Sequence, residues 1–253
     1  MAKKTEVNYE FLNEFAKDTA GYEGLDMSTA AIPFIRILQT LSPQLKKNKP
    51  EFINGSEEGD IVNSITGKIY EKPLRVVIGK FEHLFIEWKP NRGGFVQAHS
   101  PKLIDQDPKY AMVEENGRMK LKDTSNGNDI VETYIYYIIL PDYIEDSVCI
   151  LSLSSSQLKE ARRLNRMLLT TYIPGTSQKA LPHFIIWKMD TVEMSNDQGD
   201  WYGLKFTKAG FVSPDLLESV MSERKALPDK TVDYAQIDDK AGKENVTDSN
   251  VGF

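Results

Sequence analysis

Two lysines, an arginine, a histidine and four larger aromatic rings fall within "GKFEHLFIEWKPNRGGF", residues 79–95, around a Pro-Asn-Arg-Gly-Gly turn. Aromatic rings stack on nucleobases of any identity, while Lys and Arg neutralise phosphates. Together they supply the chemistry of sequence-independent binding to a single strand. The same residue types also suit a packed hairpin, because strands favour aromatics and turns favour Asn, Gly and Pro. On a strand, Phe81, His83, Phe85 and Lys89 share one face, and Leu84, Ile86 and Trp88 the other, which reads as core. Lys89 and Arg92 then sit at the turn, with Phe95 just beyond it. Two readings stay open for Phe81 and Phe85: a platform for bases, or packing beneath residues 98–129.

A second group lies in "SLSSSQLKEARRLNRML", residues 152–168, continuing to Tyr172. At 100° per residue Leu158, Ala161, Leu164, Leu168 and Tyr172 fall on one face of a helix. Lys159, Arg163 and Arg166 fall opposite, with Arg162 beside them and Glu160 as the single acid. Such a stripe either follows a phosphate backbone or is a plain solvated face. A third group follows a Ser-Asn-Asp-Gln-Gly-Asp loop, where Trp201 and Tyr202 precede Lys205. Adjacent strand residues point to opposite faces, so one ring is available for stacking and the other is core.

Catalytic patterns are thin. Asp60 with Glu87-Trp88-Lys89 matches the acid and Glu-x-Lys spacing of metal-dependent nucleases, in which carboxylates hold a divalent ion. The strand–helix–strand context of such enzymes is missing. Cys149 and His183 make a weak nucleophile pair, since Cys149 lies in the apolar run "SVCILSL". His83, His99 and His183 are scattered without metal-ligand spacing, and no glycine pattern cradles a phosphate. The expectation is a non-enzyme with no cofactor and no metal.

Charge and composition narrow the class. The 253 residues carry a net charge of −6, unlike a generally basic nucleic-acid coat. The last 27 residues hold six acids against three lysines, half of that excess, which leaves the body nearly balanced and free to carry a local basic face. No apolar run reaches the roughly 18 residues of a membrane span, and the lysine-bearing N-terminus lacks the apolar stretch of a secretory signal. One cysteine and no disulfide fit a reducing cytoplasm.

The elements that must position these groups are legible in outline. Tyr9, Leu12, Phe15 and Ala16 have helical spacing, and residues 1–29 read as a helix and linker. Ile32, Phe34, Ile35, Leu38 and Leu41 follow, with Pro33 suited to a helix start. Residues 60–88 predict three strands, the last being the first arm of the aromatic hairpin. Residues 98–129 are polar and turn-rich, a surface excursion with small strands. "DIVETYIYYIIL" is a strand covered on both faces. A further strand, the basic helix, a hairpin and a Ser-capped helix at 213–227 complete a body spanning 30–226, and 227–253 form an acidic tail. The order predicts a mainly β (α+β) fold: an antiparallel barrel of oligonucleotide-binding (OB) type with an inserted helix, flanked by N- and C-terminal helices.

The blocks "IPFIRILQTLSPQL", "GDIVNSITGKIY", "VVIGKFEHLFIEWKPNRGGF", "LSLSSSQLKEARRLNRML" and "MSNDQGDWYGLKF" resemble, in this order, bacteriophage single-stranded-DNA-binding proteins of replication and recombination. The resemblance spans roughly residues 30–210. It implies an OB-type core that coats single-stranded DNA in the host cytoplasm, and a C-terminal tail, here ending in Phe253, that recruits phage replication proteins. This tail departs from that pattern, since Lys240 and Lys243 dilute it and no acid directly precedes the final "VGF". The residue-level expectation places nucleic-acid contacts at Phe81, Phe85, Lys89, Arg92, Phe95, Lys159, Arg163, Arg166, Trp201 and Lys205. The alternatives are a virion-associated protein whose hairpin and helix dock on protein neighbours and, third, a metal-dependent nuclease. Self-association is compatible with each of these.

Overall fold

The computed structural model describes residues 31–90, 93–143, 146, 148–196 and 199–227, together with Gly21. The chain divides into two units between Ala31 and Ile32, and all the described strands and helices belong to the second. The predicted helix at residues 9–16, the tip residue Arg92 and the tail with Phe253 lie outside the described residues.

The strands are β1 (Ile35–Ile37), β2 (Ile61–Asn63), β3 (Ile69–Tyr70), β4 (Leu74–Trp88), β5 (Phe95–His99), β6 (Tyr110–Glu115), β7 (Arg118–Asp123), β8 (Asn128–Ile139), β9 (Val148–Ser154), β10 (Ile185–Asn196) and β11 (Gly199–Phe211). The helices are α1 (Pro101–Gln106), α2 (Leu158–Thr170) and α3 (Pro214–Ala226). All named pairings are antiparallel. Strands β1–β2–β3 form a small sheet, and the large sheet runs β11–β10–β4–β8–β7–β6.

Strands β4 and β8 are the spine, paired from Val77↔Ile139 to Trp88↔Asp129. Each lends its outer edge to two strands in succession. Strand β4 pairs β10 over Leu74–Val77 and β5 over Phe85–Trp88. Strand β8 pairs β7 at Asn128–Asp129 and β9 over Thr133–Ile139. A register shift between Ile78 and Lys80 re-aims β4 halfway along. Gly79 stands there, where a Cβ would lie 3.2 Å from Leu227 Cδ1 and 3.3 Å from Ile139 Cδ1. A bulge and a close approach are the two places where strands use glycine.

The main core lies on one face of this sheet, the inner face. Leu158, Ala161, Leu164 and Leu168 of α2 pack there with Val76, Tyr136, Leu151, Trp187 and Phe206. The spacing of those α2 residues is the periodicity seen in the sequence. Tyr172, expected on the same face, lies past the end of the helix and is exposed. The outer face carries Ile86, Trp88, Ile135 and Tyr137 with Phe34, and then Val77, Ile139 and Ile186 with Val220 of α3. Ser213 caps α3 by accepting from the Leu216 N–H at 3.3 Å.

The mainly β, antiparallel fold with an inserted helix and a C-terminal helix is present, but the barrel does not close. Strands β11 and β6 end the sheet path without meeting. The outward edge of β11 is instead capped by side chains. Gln39 donates to the Tyr202 carbonyl (2.9 Å) and accepts from its N–H (2.8 Å). Glu160 accepts from the Phe206 N–H at 2.7 Å, and Arg163 donates to the Phe206 carbonyl. Helix α2 thus occupies the edge that a closing strand would need. A second correction concerns Pro33: no helix starts there, and the next residues enter β1, with Phe34 bridged to Ile150.

Candidate nucleic-acid interface

Cross-strand register builds a contiguous strip of rings on the inner face. Phe81 lies opposite Tyr136, and His83 opposite Tyr134. The Phe81 centroid is 5.0 Å from that of Tyr136 and 5.4 Å from that of Tyr134. His83 continues the row, 4.8 Å from Tyr134 and 5.4 Å from Phe85. These are ordinary tilted and edge-on ring distances. Phe81 is 40% exposed, His83 and Phe85 are half-buried, and Tyr134 is nearly closed.

The strip is bounded at both ends. On one side the Tyr136 hydroxyl donates to Asn165 Oδ1 (2.8 Å) and to the Ala161 carbonyl (3.2 Å), which fixes α2 against it. On the other, Phe85 packs with Ile104, Tyr110, Ile130 and Leu121, beneath the excursion made by α1, β6 and β7. Phe85 is therefore packed beneath residues 98–129, as one of the two sequence readings expects, and Phe81 is open.

Charge borders the strip through α2. Arg162 donates to Glu132 Oε2 at 2.8 Å and stands beside the Tyr134 hydroxyl. The other Glu132 oxygen lies 3.1 Å from His83 Nε2. One carboxylate thus faces both a ring and a cation of the strip. Lys159 and Arg166 are exposed on the same helix. Arg163 is exposed as well, but it is committed to Glu160 and the Phe206 carbonyl, and so holds α2 to β11.

The remaining expected contacts do not join this strip. Phe95 pairs with Trp88 and meets its ring at 5.9 Å on the outer face. Lys89 is exposed at the end of β4. Trp201 and Lys205 lie on the outer face of the β10–β11 hairpin, where Trp201 pairs with Met194 and Lys205 with Asp190. A Cβ at Gly203 would collide with Met194 Sδ, so Met194 lies flat between Trp201 and Lys205. Tyr202 faces the other way, with its ring against Gly59. The structure thus gathers Phe81 and Phe85 with the α2 cations, and sets Phe95, Trp201 and Lys205 apart on the opposite face. Sequence reading missed Tyr134, Glu132 and the bridging role of Arg162. Their signal was the strand period of "VETYIYY", which places Glu132, Tyr134 and Tyr136 on one face.

The catalytic candidates are otherwise engaged. Glu87 is buried and accepts from Asn128 (2.6 Å), His99 (2.7 Å), Gln97 (3.1 Å) and Asn126 (3.2 Å). Burial alone would raise its carboxyl, but these four bonds, led by Asn128, hold it below the usual carboxylate value. Asp60 is 3.3 Å from Lys72 and accepts from the Glu57 N–H. Burial pushes the Cys149 thiol up to about 12, the reverse of an activated nucleophile. Among the described residues no group of three acidic, His or Cys side chains is placed to hold a metal ion, and no helix is long and apolar enough to cross a membrane.

No curated relative and no solved structure matches the chain. A family model described as Pam3 phage gp34-like protein matches residues 2–233, nearly the whole chain. The chain belongs to this bacteriophage protein family.

Proposed function

We propose that this phage protein binds single-stranded DNA without sequence preference, laying bases on the Phe81–His83–Phe85 strip and phosphates along α2. The observation that carries the reading is the exposed Phe81 ring in a row of rings bordered by Arg162, with Lys159 and Arg166 on the same helix. The open Phe81 ring beside Tyr134, which itself stands next to Arg162, supports a reading in which a base stacks on Phe81 and its phosphate meets the cations of α2. The antiparallel sheet, with a long strand shared by two halves and a helix between strands, is compatible with the reading, although the sheet stays open. Sealing of Glu87 favours a binding protein over a nuclease. The reading places the protein in the host cytoplasm during replication or recombination, with replication proteins as partners of its tail.

The test is a titration of labelled single-stranded DNA, duplex and RNA at two salt concentrations, with and without Mg²⁺. Single strands should bind more tightly than duplex, affinity should fall with salt by about 0.7 log units per log unit for each phosphate contact, and strands should stay full length. Equal affinity for duplex, or no binding at low salt, sinks the proposal.

A second reading has one observation in its favour. The β6–β7 hairpin exposes Met112 and Met119, and the β10–β11 hairpin exposes Met194. Exposed Met side chains adapt to protein surfaces, as a virion-associated docking module would require.

A further inference from the structure

The two ends of the large sheet are treated differently. At β11 the outward N–H and C=O groups of Tyr202 and Phe206 are taken by Gln39, Glu160 and Arg163. Open edges invite pairing with another chain, and capping of this kind is how proteins prevent it. At β6 there is no such cap among the described residues beyond one bond, from the Tyr110 N–H to the Asp107 carbonyl at 3.1 Å.

Which β6 groups face outward is set by the hairpin. Asn116 and Gly117 both have positive φ, 54° and 76°, the two-residue turn that makes Glu115 and Arg118 a hydrogen-bonded pair. Alternation then turns the backbone groups of Ala111, Val113 and Glu115 toward β7, and those of Tyr110, Met112 and Glu114 outward. Met112 is 53% exposed at the centre of this edge.

We infer that β6 pairs antiparallel with β6 of a second copy of this chain, on a twofold axis through Met112. That register is the one the side chains favour. Met112 meets its own symmetry mate, Val113 meets Ala111, Glu114 meets Tyr110, and the acidic Glu115 meets the basic Lys109. No like charges stand opposite each other, although the strand ends in two glutamates. The outward N–H and C=O of Met112 are both satisfied across the axis, and each Glu114 N–H reaches a Tyr110 carbonyl. The Tyr110 N–H is already spent on Asp107, so the Glu114 carbonyl at each end of the ladder is left to solvent. The two large sheets then run on into each other.

Cysteine cross-linking reads the register directly. Residues opposed in a hydrogen-bonded antiparallel pair have Cα atoms about 5.5 Å apart, within disulfide range. Met112→Cys should therefore cross-link into a dimer under mild oxidation. Glu114→Cys should not, because its symmetry mate stands four residues along the partner strand, about 13 Å away. Cys149 is buried and stays silent in this assay. In sedimentation the full chain should show twice the chain mass, and Met112→Pro should reduce it to the monomer. Proline there removes only an outward N–H, so the hairpin survives, and unchanged circular dichroism checks that it does. Met112→Leu should stay dimeric. A wild type that is monomeric at all concentrations, a dimer that persists in Met112→Pro, or equal cross-linking at 112 and 114 overturns the inference.

Discussion

Replacing Phe81 by alanine separates a platform from a core residue. A fully buried phenylalanine costs about 3–5 kcal/mol when truncated. Phe81 is 40% exposed, and its contacts are ring approaches to Tyr134 and Tyr136, so truncation leaves no sealed cavity. The expected loss of folding stability is about 1–2 kcal/mol, below that range. Loss of a stacked base is worth about 1–3 kcal/mol, a roughly fivefold to 150-fold drop in single-strand affinity. Trp88 is the control on the other face. At 4% exposure against Phe95, its truncation should cost about 3–5 kcal/mol of stability and leave the affinity of the folded fraction unchanged. Phe85, partly roofed by Ile104 and Tyr110, should fall between the two in both measurements. The assays are chemical denaturation and fluorescence anisotropy with a labelled oligonucleotide, run on all three variants. A folded Phe81→Ala protein that binds within twofold of wild type would refute the base-platform reasoning.

Two further perturbations test the supporting chemistry. Arg163→Gln should lower stability by about 1–2 kcal/mol through the freed Phe206 carbonyl and Glu160, whereas Arg166→Gln should leave stability alone and make the salt slope shallower by about 0.7; the reverse pattern would exchange their roles. For Glu87, whose folded carboxyl titrates below its ordinary 4.5, the unfolded chain takes up the proton first as pH falls. Its contribution to stability is therefore complete above pH 4.5 and is lost on acidification, so denaturation midpoints measured from pH 6 to 3 should fall less steeply in Glu87→Gln than in wild type.

Elements with a strong period were legible in the sequence, and closures between them were not. The α2 face of Leu158, Ala161, Leu164 and Leu168, the β10–β11 hairpin and the capped α3 follow from local pattern and turn chemistry. The even face of β4 follows as well, since Ile86 and Trp88 are buried. The open sheet was not legible, because it depends on Gln39, Glu160 and Arg163 reaching a strand edge far along the chain. Pro33 misled because a proline suits a strand approach as well as a helix start. At the candidate site, alternation placed Phe81 and Phe85 on one face, yet nothing local distinguished the open ring from the roofed one. That difference is set by where α2 stops and the excursion begins. Phe95 went to the outer face because β5 pairs with β4 across a second register shift, between Glu87 and Trp88.

The balance of forces in the proposed site rests on the same geometry. Over Val76–Ile78 strand β4 is buried on both faces, and from Phe81 to Phe85 its inner face is partly open. The bulge at Gly79 marks the change, and the uncovered stretch is the one rich in rings. Electrostatic attraction to a strand is weak there for two reasons. The chain carries a net −6, and Glu132 already holds Arg162 and faces His83. A phosphate arriving at Arg162 must compete with a carboxylate 2.8 Å away, while Lys159 and Arg166 are the exposed cations left on that helix. Few phosphate contacts mean a shallow salt dependence. Stacking must then carry the larger share of affinity, and stacking on Phe81 and His83 is indifferent to base identity. The proposed reading therefore expects a hold on exposed bases and weak binding to duplex DNA, whose bases are already stacked.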